Sequence, residues 1–136
     1  MSLLQIADTH PTVTSPDATV QEAMQKMLDN GVGAVCVLDS ERRVAGIFTE
    51  RDVMRELAMH GFDPKTTPVR ALMTTEVEMA TEHTTDAEAL AIMLERHYRH
   101  LPIIDKDAKL LGMLSIRHVL EERVDELLAQ ITAAKK

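Results

Sequence analysis

Residues 34–52 read AVCVLDSERRVAGIFTERD, and residues 100–118 read HLPIIDKDAKLLGMLSIRH. Each stretch holds two short apolar runs around a polar turn, at 34–38 and 44–48 in the first and at 101–104 and 110–114 in the second. Apolar runs of this length predict strands that are covered on both faces. The polar turns predict hairpins.

The two stretches belong to an internal repeat with an offset of 66 residues. Residues 3–54 lie over residues 69–120 without a gap, and ten of these 52 pairs are identical. A repeat of this length indicates two copies of one supersecondary unit, each of which needs a neighbour to bury its sheet.

Helix signals recur at the same places in both units. Thr19 and Thr85 each stand three residues before a glutamate, as in a capping box, and apolar residues at helical spacing follow. An extended piece precedes each of these helices, at 11–15 and 77–81, and a second helix is expected after Thr49 and after Ser115.

Each unit therefore reads β-α-β-β-α, and the predicted fold class is α/β (α+β). We expect two stacked repeats with pseudo-twofold symmetry and two related clefts between them. Repeat one is assigned to residues 1–60, a linker to 61–68, and repeat two with a C-terminal helical extension to 69–136. Together they form one module.

Composition narrows the function. The net charge is −7 and no basic patch is present, which disfavours a nucleic-acid partner. The single cysteine, Cys36, excludes a disulfide framework and fits a cytoplasmic protein. No apolar stretch has the length of a membrane span, and we see no signal peptide. The histidines have no usual metal-site spacing, and no nucleophile stands beside a base, so no catalytic residues are expected.

Three motifs carry a family resemblance: SPDATV at 15–20, GIFTERD at 46–52 and YRHLPIID at 98–105. In this order and spacing, the chain resembles the paired cystathionine-β-synthase (CBS) domain, or Bateman module. The resemblance covers residues 3–120 and is to stand-alone bacterial proteins of this type. It implies a regulatory module that binds an adenine nucleotide and is not an enzyme.

The resemblance also implies binding residues. The hydroxyl and carboxylate of Thr49 and Asp52 would hold the ribose, and the basic pair Arg99 and His100 would complete the phosphate contacts. Repeat two has His118 where the acid should be, so its cleft is expected to bind weakly or not at all. The full set assigned to nucleotide binding is Thr12, Val13, Thr14, Thr49, Arg51, Asp52, Arg99, His100, Pro102, Ser115 and His118.

Several alternatives stay open. The ligand is AMP, ADP or ATP, or a related adenosyl ligand such as NAD or S-adenosylmethionine. Thr49 and Asp52 also fit a plain helix cap, which contributes about 1 kcal/mol. An apolar stripe on the last helix, from Leu120 to Ile131, fits either a helix end that folds back or a homodimer interface. A ligand-free dimeric interaction scaffold is the rival to a ligand sensor that acts on an unknown effector protein.

Overall fold

Each repeat folds around its own three-stranded sheet. The computed structural model describes residues 2–134. Its helices are α1 (Leu3–Ile6), α2 (Val20–Asn30), α3 (Glu50–Met59), α4 (Asp86–Arg96) and α5 (Ile116–Ala134), with a short 3-10 helix at Val69–Ala71. Its strands are β1 (Val13–Thr14), β2 (Ala34–Leu38), β3 (Val44–Thr49), β4 (Ala80–Thr81), β5 (His100–Ile104) and β6 (Leu110–Ser115).

The two sheets have the same topology. In repeat one, β1 pairs parallel with β2, and β2 pairs antiparallel with β3. In repeat two, β4, β5 and β6 pair in the same way. The register places Ala34 opposite Thr49 and His100 opposite Ser115. The predicted α+β fold with two hairpin-containing repeats is therefore confirmed.

The predicted helix starts are confirmed as well. Thr19, Thr49 and Thr85 are N-cap residues whose hydroxyls each accept a backbone N–H from the residue three positions later. Helix α2 ends at Gly31 and α4 ends at His97, and both residues have left-handed backbone, with φ of 62° and 59°. The two positions are 66 residues apart, so the repeats use one turn at the end of the first long helix.

Short segments cross between the repeats. Leu3 is fully buried in the core of repeat two, and Val69 is fully buried in the core of repeat one. Backbone hydrogen bonds of 3.0 and 2.9 Å join Asp8 to Met113, and bonds of the same two lengths join Ile47 to Thr74. The division of the chain at residues 60 and 69 does not anticipate this exchange, and the sequence patterns predicted no helix at α1.

Two glycines at equivalent positions accept these crossing segments. A Cβ atom at Gly46 would lie 2.7 Å from the carbonyl oxygen of Thr74, and one at Gly112 would lie 2.9 Å from the carbonyl oxygen of Asp8. Any other residue would push the backbone pair apart. Glycine therefore stands at both positions because the backbone of a crossing segment approaches too closely for a side chain.

A third core lies between the two sheets and joins the repeats. Its buried residues are Ala34, Cys36, Leu38, Ile47 and Met113. Burial raises the pKa of the Cys36 thiol to about 12, so the thiol stays protonated and acts as a small apolar group. At the far ends of the hairpins, a backbone bridge joins Arg43 to Lys109.

The turn at the end of α4 yields a stability prediction. His97→Gly should raise the free energy of unfolding by about 0.5–1 kcal/mol, because glycine adopts left-handed backbone without the steric cost of a Cβ atom. Gly31→His is the matched change in the other repeat and should lower it by a similar amount. Urea denaturation measures both. Equal stability of His97→Gly and wild type would contradict the assigned turn.

Candidate functional site

A cavity of about 560 Å³ opens between the two repeats, where the strands β2 and β5 begin. The backbone there is fixed by two equivalent hydrogen bonds. The N–H of Glu50 donates to the carbonyl of Gly33 at 3.0 Å, and the N–H of Ile116 donates to the carbonyl of Arg99 at 2.8 Å. These bonds bring the starts of α3 and α5 to the mouth of one cavity.

Five of the predicted site residues line this cavity, and six do not. Those that line it are Thr12, Arg99, His100, Ser115 and His118. Those that do not are Val13, Thr14, Thr49, Arg51, Asp52 and Pro102. Val13 packs against the core between the sheets, Pro102 is buried and Arg51 is exposed. The hydroxyl of Thr14 is buried and bonds to no described residue.

The basic pair therefore has different neighbours from those expected. Arg99 and His100 are expected to share a site with Thr49 and Asp52 of the other repeat. In the structure they line one cavity with Ser115 and His118 of their own repeat and with Glu50 of the other. The reason is the antiparallel register: His100 starts β5 directly opposite Ser115, which ends β6. Adjacent strands hold such pairs close together.

Asp52 has a full set of protein partners. Only 3% of the residue is exposed. Its Oδ2 accepts the N–H of Thr49 at 3.0 Å, and its Oδ1 accepts the guanidinium of Arg55 at 2.8 Å and the hydroxyl of Thr74 at 3.3 Å. In this arrangement the carboxylate acts as a helix cap and ion-pair partner. The assignment of Thr49 and Asp52 to ribose binding stays a prediction.

His118 reproduces this cap with different chemistry. The hydroxyl of Ser115 accepts the N–H of His118 at 3.2 Å, and the N–H of Ser115 donates to Nδ1 of His118 at 3.1 Å. Because Nδ1 accepts a hydrogen bond, the ring proton lies on Nε2, at the opposite edge of the imidazole. The side-chain atom that the cap does not use is thus an acceptor, Oδ1 of Asp52, in repeat one and a donor, the Nε2–H of His118, in repeat two.

Electrostatics at the cavity depend on residues from both repeats. Burial lowers the pKa of the His100 imidazole, the negative charge of Glu50 opposes this shift, and the charges of Arg99 and His118 add to it. A Cβ atom at Gly33 would lie 2.9 Å from Oε1 of Glu50, so the glycine leaves room for that carboxylate. Because burial lowers its pKa, His100 is a neutral donor or acceptor near pH 7.

Sequence reasoning missed three acidic residues at the cavity: Asp8, Glu50 and Glu121. Glu50 follows the hydroxyl residue at the start of α3, so its position beside the motif was a usable signal. Asp8 reaches the cavity through the exchanged segment, which no local pattern revealed. Within residues 2–134, no three His, Cys, Asp or Glu side chains are grouped to hold a metal ion, and no helix has the length and apolar character to cross a membrane.

The family model described as the CBS domain matches this chain twice, at residues 4–59 and 69–125. The chain belongs to the CBS domain family. This CBS-domain pair is 40% identical over 121 residues to an uncharacterized 17.7 kDa protein of Acidianus ambivalens, and the match covers 89% of this chain and 72% of that protein. It is also 35% identical to the inosine-5′-monophosphate dehydrogenase of Methanocaldococcus jannaschii, over 80% of this chain but only 21% of that enzyme.

Solved structures share the fold. A putative signal-transduction protein with CBS domains from Burkholderia ambifaria matches with a TM-score of 0.82 and 31% identity, covering 92% of this chain and 95% of that one. Two more distant likenesses show the fold alone. One is CBSX2 in complex with AMP, with a TM-score of 0.77 and 21% identity, covering 91% of this chain and 96% of that one. The other is the CBS pair of MJ0100 in complex with 5′-methylthioadenosine and S-adenosyl-L-methionine, with a TM-score of 0.79 and 16% identity, covering 100% of this chain and 98% of that one.

The contacts of Asp52 predict a cost in stability. Asp52→Ala removes the acceptor for Thr49, the ion pair with Arg55 and the hydrogen bond from Thr74, so it should lower the free energy of unfolding by about 2 kcal/mol. Asp52→Asn keeps one acceptor oxygen and should lose about half as much. Denaturant titration of both variants tests this. An Asp52→Ala protein as stable as wild type would remove the cap and ion pair as stabilising contacts.

Proposed function

We propose that this CBS-domain pair is a regulatory module that binds an adenine nucleotide, or a related adenosyl ligand, in the cavity between its repeats. The single observation that carries the proposal is the convergence of Thr12, Arg99, His100, Ser115 and His118 on one cavity of about 560 Å³. This volume lies within the usual range for small-molecule sites. The AMP and adenosyl complexes of CBSX2 and MJ0100 support it through the shared fold.

The lining residues suggest how a ligand is held. Arg99 is exposed and forms no ion pair within residues 2–134, so its guanidinium is available to a phosphate. The half-buried His100 and His118 offer ring nitrogens, and the hydroxyl of Ser115 offers a further polar contact. Thr12, in the segment that leads into β1, adds a further hydroxyl to the lining.

The proposed role is signalling, without a catalysed reaction. The cavity walls come from both repeats, so a bound ligand contacts both and can change how they pack. A ligand shifts such an equilibrium only through different affinities for the two arrangements. The output would be a changed contact with an effector protein in the cytoplasm. Because the likeness to inosine-5′-monophosphate dehydrogenase spans 21% of that enzyme, it supports no dehydrogenase activity here.

Exposed apolar side chains support a homodimer. Most lie on α3 and α5, where those more than half exposed are Met54, Leu57, Met59, Val124, Leu127, Leu128 and Ile131. Leu28 on α2 and Leu94 on α4 are also more than half exposed. A row of this kind on two helices is typical of a protein interface. It also favours the second candidate function, a dimeric scaffold that acts without a ligand, for which the fully partnered Asp52 is a further argument.

Binding is tested with a panel of adenosine, AMP, ADP, ATP, NAD and S-adenosylmethionine. At least one should raise the melting temperature, because a ligand that binds only the native state stabilises it. Arg99→Ala should weaken AMP binding roughly tenfold, as expected for a charged hydrogen bond, and adenosine binding much less. Lys106→Ala, on an exposed turn, is the control. A panel without any stabilising ligand would favour the scaffold.

Assembly is tested by light scattering at micromolar concentration. Wild type should have the mass of a dimer, and Leu127→Asp should shift it to a monomer because a charge in an apolar interface is costly. Leu28→Asp places the same charge on α2, where the leucine is 76% exposed, and should remain dimeric. A monomeric wild type would remove the homodimer from the proposal.

A further inference from the structure

Asp52 and His118 are equivalent positions in the two repeats, and their surroundings differ in the sign of their charge. In repeat one, Arg55 and Thr74 donate to the carboxylate of Asp52. The positions 66 residues away hold Glu121 in place of the arginine and Asp8 in place of the threonine. Both carboxylates line the cavity together with His118. Asp52 is thus surrounded by a cation and a hydroxyl, whereas the equivalent His118 shares its cavity with two carboxylates.

The charges that line the cavity do not balance. Its cations are Arg99 and Arg117, and its carboxylates are Asp8, Glu50 and Glu121. Arg117 is already paired, because its Nε lies 2.9 Å from Oε1 of Glu121. Arg99 is then the one cation of the lining without an ion pair among residues 2–134, and two carboxylates remain.

The two remaining acids are not neutralised by other contacts. Asp8 accepts the backbone N–H of His10 at 2.9 Å, which brings no positive charge. Glu50 lies over Gly33, and within residues 2–134 its carboxylate accepts no hydrogen bond. His100 adds little charge because burial lowers its pKa, and Nδ1 of His118 is occupied as the acceptor of the Ser115 N–H.

We propose that the cavity selects adenosyl ligands with no more than one phosphate and rejects diphosphates and triphosphates. The inference rests on the proposed function of the same cavity. A single phosphate can pair with Arg99. Each further phosphate meets Asp8 or Glu50 without a free cation, and like charges repel strongly where water is partly excluded. AMP, adenosine and sulfonium-bearing adenosyl ligands fit this rule, whereas ADP, ATP and NAD do not.

The test compares AMP with ATP in metal-free, low-salt buffer. Amide resonances of Gly33 and His118, both at the cavity, report binding there separately from any binding near Asp52. The dissociation constant for AMP should be on the order of tenfold lower than that for ATP. Added salt should narrow this gap because it screens the repulsion.

The double variant Asp8→Asn with Glu50→Gln removes both unpaired acids and should bring the two constants to within about twofold. Glu76→Gln with Glu95→Gln changes the net charge equally at exposed positions outside the cavity, and should keep the tenfold gap. Melting curves of the free variants confirm folding.

The outcomes separate the two claims. A preference for AMP that the cavity variant abolishes and the control keeps supports the inference. Binding of ATP as tight as that of AMP, or an equal response of both variants, overturns the inference and leaves the proposed function standing. No shift of either amide with any adenosyl ligand overturns both.

Discussion

The backbone pairs that join Asp8 to Met113 and Thr74 to Ile47 fix how the two repeats meet. They require glycine at positions 46 and 112, since a side chain at either site would collide with the crossing backbone. Leu3 and Val69 are carried into the opposite cores by the same crossings. Neither repeat completes its core alone. The sheet-to-sheet core and the cavity at the strand starts both follow from this interlocking.

The sequence was sufficient for the local elements because their signals are local. Capping boxes at Thr19 and Thr85 and the apolar runs around two polar turns predicted helices and strands to within a residue or two. The exchange of segments was beyond reach, because α1 has only four residues and its contacts lie in the other repeat. Gly46 and Gly112 are identical in the two repeats, but only the structure shows which segments pack against them.

The candidate site was predicted in part for the same reason. Arg99, His100, Ser115 and His118 line one cavity together with Glu50 of the other repeat, whereas the predicted role of Asp52 at a shared site stays a prediction. Strand register alone would have paired His100 with Ser115. The acids Asp8 and Glu50 could be assigned only from the three-dimensional structure, because one arrives on the exchanged segment and the other faces the cavity from the opposite repeat.

The interlocking of the repeats also bears on how such a chain could diversify. A single-repeat ancestor would leave its core open at the position of Leu3 or Val69, and a second copy could fill it by swapping segments. In such a symmetric pair, every substitution appears in both clefts at once. Gene duplication and fusion lift that constraint. After fusion, one copy can hold Asp52 with Arg55 while the other acquires His118 with Glu121, so equivalent positions in the two repeats can evolve independently.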